Sequence, residues 1–92
     1  MIPVHQFMPE ALAAILRRAP LTPEKVAFAW RAAVGPAVDR VTTVSLTGDV
    51  LCVRARDVAW RREVERSGRV IRARLDALLG EGVVRAMKVE TP

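Results

Sequence analysis

A chain of 92 residues, 51% of them hydrophobic, has room for one domain with one modest core and is too apolar for a disordered chain. Its apolar runs are far too short to span a bilayer as a helix, and its single cysteine excludes an internal disulfide, so a reducing cytoplasm is the expected setting. The net charge is +5, and eight arginines set against Asp57, Glu63 and Glu65 between positions 54 and 74 account for all of it. A field concentrated in that way favours a polyanion or an acidic protein surface.

Residues 1–7 read as a loosely ordered lead-in to a single domain over 1–92. They have neither a basic segment nor an apolar one of the kind a signal peptide needs. Pro9 suits the first position of a helix, whose apolar stripe is Leu12, Ile15 and Leu16. Arg17 and Arg18 fall where cations complement that helix's dipole. Ala19-Pro20-Leu21 breaks it. Thr22-Pro23-Glu24 starts a second helix with a hydroxyl cap, a proline in the first turn and an acid just inside. Val26, Trp30 and Ala33 share one of its faces, and Gly35-Pro36 stops it. Residues 37–41 are expected to make one helical turn.

Next comes a hairpin. Val44 and Leu46 alternate with polar residues, and Gly48-Asp49 is a two-residue loop with glycine in the place where a type II′ turn needs positive φ. Beyond it, Leu51, Val53 and Ala55 lie on one face of a strand, and Cys52, Arg54 and Arg56 on the other. Asp57 is a fit N-cap for a helix. The apolar period then changes to 3.6, with Trp60, Val64, Ile71, Leu75 and Leu78 in one stripe of a single long helix. Arg62, Arg66 and Arg69 lie opposite that stripe. Gly80-Glu81-Gly82 closes the helix. Val83 to Val89 reads as a last strand, although both of its alternating sets are apolar enough to face a core. The order helix, helix, strand, strand, long helix, strand predicts an α+β fold, with helices on one face of a small three-stranded sheet.

Chemistry finds few footholds. His5 has no carboxylate or thiol near it in sequence, and Cys52 has no neighbouring base, so both read as bystanders. No spacing resembles a metal site, no glycine loop is long enough to cradle a phosphate, and no cofactor, small-molecule substrate or enzymatic activity is expected. Trp30 and Trp60 could stack on bases, but each lies in a helical apolar stripe and is read, with Ile71 and Leu75, as core. The arginines carry the signal, since they outnumber lysines thirteen to two and cluster on one element. A solvated helix face, partly neutralised by pairs such as Glu65 with Arg69, would account for them. So would contact with phosphates, which the planar guanidinium fork suits.

The run Ala29-Trp30 with Val34-Gly35-Pro36 is followed by Val44-Ser45-Leu46, Gly48, Leu51-Cys52-Val53, and Trp60 with Glu63. Ile71, Arg74-Leu75-Asp76, Leu79-Gly80 and Val83 continue the spacing. This ordered set resembles the bacterial DciA family from about Pro9 to Val89. The resemblance implies a KH-like domain, and a role as partner and loader of the replicative DNA helicase DnaB with affinity for single-stranded DNA. The Gly-x-x-Gly loop of KH domains does not appear, so KH-style nucleotide clamping is not expected. On this reading Arg54, Arg56, Arg62, Arg66 and Arg69 would contact phosphates without reading sequence. A general nucleic-acid-binding module and a purely protein-binding one remain the alternatives.

Overall fold

The computed structural model of the chain describes residues 8–92, so the expected lead-in over 1–7, with His5, lies outside the described residues. The elements in chain order are α1 (Glu10–Arg18), α2 (Pro23–Val34), α3 (Pro36–Asp39), β1 (Thr42–Thr47), β2 (Val50–Ala55), α4 (Val58–Arg66), α5 (Gly68–Leu79) and β3 (Ala86–Glu90). This is the expected α+β order. The predicted turn after Gly35 forms as α3, and the predicted long helix is divided in two.

The sheet grows from the hairpin. Gly48 has φ of 62° while Asp49 stays at negative φ, the combination a type II′ turn requires. β1 and β2 therefore pair antiparallel with Thr47 opposite Val50 and Thr42 opposite Ala55. β3 adds in parallel on the other side of β2, with Val53 beside Val89, so β2 is central and β1 and β3 are edges. Leu51, Val53 and Ala55 are buried against the helices, while Thr43, Ser45, Arg54 and Lys88 are exposed on the open face. β3 begins three residues later than expected, because the N–H groups of Arg85 and Ala86 both donate to Asp49 O at the hairpin turn. The ambiguity of facing is resolved by Met87 and Val89, which pack on the core just beyond the buried Val84.

The core joins Leu51 and Val53 of the sheet to Trp30, Val64, Ile71, Leu75 and Leu78. Trp30 is 1% exposed, and its indole Nε1 donates to Thr42 Oγ1 at 2.9 Å, which itself donates to Val38 O at 2.8 Å. That chain satisfies the one polar group that burial of a tryptophan would otherwise orphan.

Three expectations need correction. The long helix breaks at Ser67, whose φ and ψ of −89° and 5° place it outside the helical basin. α4 packs on β2 and β3, while α5 packs on α1 and α2, so two directions are needed where a straight helix has one. Ser67-Gly68 supplies the bend, and the Met87 side chain packs beside Gly68, 3.5 Å from where a Cβ would stand. Val64 is the buried residue of α4, and Trp60, expected in the core, is only half-buried in its first turn and lies outside the buried cluster. In α1 Ala13 is buried and Leu16 packs on the core as expected, whereas Leu12 and Ile15 are 51% and 64% exposed, since close approach of α1 to α5 favours the small side chain.

Candidate nucleic-acid interface

The basic side chains sort by what their donors touch. One group faces inward. The Arg74 guanidinium on α5 donates to Ala33 O in the last turn of α2 at 2.8 Å. The Lys25 ammonium on α2, only 7% exposed, donates to Arg17 O and Ala19 O at the end of α1, at 3.2 and 2.7 Å. The Arg17 guanidinium on α1 donates to Ala77 O in the last turn of α5 at 2.7 Å. Each helix thus supplies a cation to the C-terminus of the next, and the three close a ring. The carbonyls involved are ones that a helix cannot satisfy within itself, and each cation sits at the negative end of a helix dipole. The sequence assigned Arg17 to its own helix. It overlooked Lys25, although a cation in the first turn of a helix opposes that helix's dipole and so signals a contact elsewhere. Arg72 is also engaged, its Nη2 donating to Arg85 O at 2.8 Å and so tying α5 to the start of β3.

The outward group contains all five of the expected arginines. Arg62 and Arg66 on α4 and Arg69 in the first turn of α5 are exposed and follow one another at helical spacings across the bend. Arg66 holds Glu63 Oε1 at 2.9 Å, while Arg62 and Arg69 have no ion pair or hydrogen bond among the described residues. Glu65, expected to pair with Arg69, instead approaches half-buried Arg61 at 3.9 Å. Arg56 stands where β2 passes into α4, its Nε 3.7 Å from Asp57 Oδ2. Asp57 caps α4 as expected, its Oδ1 accepting from Trp60 N at 3.0 Å. Arg54 belongs to the open sheet face, in register with Glu90 and two residues along the same face from the Cys52–Lys88 pair. The five arginines therefore form two groups: three on the solvent side of α4 and α5, and Arg54 on the far face of the sheet, with Arg56 at the junction. Exposed ion pairs of this kind are weak and exchange readily with solvent or a phosphate.

A cleft of about 300 Å³ opens where the α4–α5 bend meets the end of α2 and α3. Val38, Val64, Val70 and Ile71 give it apolar walls, and Glu63 and Arg74 are its charged liners. Arg66, outside the lining, is paired with Glu63, which is part of it. Cys52 is half-buried on the open sheet face, because its position alternates with Leu51 and Val53. Among the described residues no three His, Cys, Asp or Glu side chains gather as a metal site, and no helix is long and apolar enough to cross a membrane.

Comparison with known proteins agrees with the resemblance stated above. A relative in Mycolicibacterium smegmatis (strain ATCC 700084 / mc(2)155), described as a UPF0232 protein, is 34% identical over 64 residues. That stretch is 68% of this chain and 33% of the relative, so the chain matches about a third of that protein's length. A model of the family described as DciA, the Dna(CI) antecedent, matches residues 3–89. A match over nearly the whole chain means that the chain belongs to the DciA family.

Proposed function

We propose that the chain is a non-enzymatic, cytoplasmic adaptor of bacterial DNA replication, which binds the replicative helicase and single-stranded DNA through its outward arginines. Membership of the DciA family supports the helicase as partner. The observation that carries the DNA contact is the division of labour among the cations. Arg17, Lys25, Arg72 and Arg74 donate to backbone carbonyls, while Arg62, Arg66 and Arg69 make a row open to solvent. Guanidinium groups in that position suit phosphate oxygens and carry no base-reading partner, so binding is expected to be indifferent to sequence.

The test is a salt titration of binding to a labelled single strand. Each phosphate contact adds about 0.7 to the slope of log affinity against log salt, so R62E/R66E/R69E should flatten the slope by about 2 and abolish binding at moderate salt. The variant should fold, because all three side chains are exposed. An unchanged slope would remove the assignment of this row. Co-purification with the helicase of the same organism tests the other half of the reading.

The cleft beside Arg66 favours a second reading, a purely protein-binding module whose arginines meet an acidic partner surface. Capture of the helicase with no salt-dependent affinity for DNA would select it.

A further inference from the structure

One edge of the sheet, with no further strand beside it among the described residues, bears a feature that neither the arginines nor the family match explains. β1 is an edge strand of six residues, Thr-Thr-Val-Ser-Leu-Thr, with no charge, proline or glycine in it. Natural sheets commonly guard such an edge with lysine, proline or a bulge, because its unpaired N–H and C=O groups otherwise recruit another strand. The opposite edge, β3, has Lys88 and Glu90.

The register fixes which groups are free. A two-residue turn makes Thr47 and Val50 a hydrogen-bonded pair, and the alternation of an antiparallel ladder then directs the N–H and C=O of Thr42, Val44 and Leu46 away from β2. Among the described residues no backbone partner is found for Val44 or Leu46 on that side. Along the same edge lies a second cleft of about 300 Å³, walled by Leu21, Pro23, Val26, Val44 and Leu46. Leu21, above it, is 53% exposed.

We infer that β1 pairs antiparallel with β1 of a second copy of this chain, joining the two sheets into one of six strands. The strand is self-complementary about Val44. In the symmetric register Val44 faces Val44 of the second copy and Leu46 faces its Thr42, so the contact centres on the outward N–H and C=O of Val44, with Thr42, only 9% exposed, at its end. On the helix side Val44 of the second copy enters the cleft beneath Leu21. On the open side Thr43 stands opposite Ser45 of the second copy, hydroxyl to hydroxyl. Charge selects a second copy over a basic or acidic strand, since β1 presents nothing for either sign to meet. α4 packs on β2 and β3, and α5 packs on α1 and α2 rather than on β1, so their arginines stand off the new seam and the two copies join without opposing their basic faces.

The experiment is sedimentation equilibrium of the whole chain up to millimolar concentration. The wild type should reach twice its 10.1 kDa. T43E/S45E places like charges opposite each other twice across the two-fold and should sediment as a monomer at every concentration. T43E/S45K places opposite charges there and should restore the dimer. Both variants alter exposed residues and share T43E beside Arg54, so folding does not separate them. A monomeric wild type, or two variants that associate alike, would overturn the pairing.

Discussion

Among single residues, Trp30 and Trp60 show how far a side chain's role depends on what surrounds it. Both occupy apolar stripes in sequence, yet Trp30 is sealed in the core and bonded to Thr42, while Trp60 sits half-exposed on the first turn of α4. Trp30→Ala should cost about 3–5 kcal/mol in chemical denaturation, and Trp60→Ala only about 1 kcal/mol. Thr42→Val tests the bond directly. It keeps the shape of the threonine and leaves the indole N–H buried without an acceptor, at a cost of about 1–3 kcal/mol. Thr42 could not be singled out in advance, because its partner lies twelve residues away and threonine at a strand start is ordinary. The outward arginines were legible, because polar positions opposite an apolar helical stripe, as at Arg62, Arg66 and Arg69, or on the polar face of a strand, as at Arg54, are exposed.

For the elements, local rules decided what could be read. The hairpin, its turn glycine, the Thr22 cap and the Asp57 cap all appear where expected, because each depends on neighbours within four residues. The bend at Ser67 escaped notice because the apolar period continues through it, and only the different partners of α4 and α5 demand it. The facing of β3 escaped because both of its alternating sets are apolar at their ends. Gly68 has negative φ, and a Cβ there would make only an ordinary contact with the flexible end of Met87. Gly68→Ala should therefore stabilise the protein by about 0.5 kcal/mol in thermal or urea unfolding, by restricting the unfolded chain. A destabilised variant would mean that the bend itself requires glycine.

Seen across the whole molecule, the basic residues serve two different ends. Lys25, Arg17 and Arg74 connect three helices in a closed circuit, and the outward arginines are left to whatever approaches from solvent. Nothing in composition separates the two sets, because a count of charges carries no record of which carbonyls they reach. The circuit has a consequence for motion. Native-state amide exchange proceeds through cooperative units, and a linkage that runs α2 to α1, α1 to α5 and α5 back to α2 leaves none of the three a free C-terminus from which to fray alone. In exchange measured by mass spectrometry, the closing turns of α1, α2 and α5 should open at one shared rate. Lys25→Met removes one link, and it should quicken exchange in α5 as well as in α1. Acceleration confined to α1 would show three separate clasps rather than one circuit.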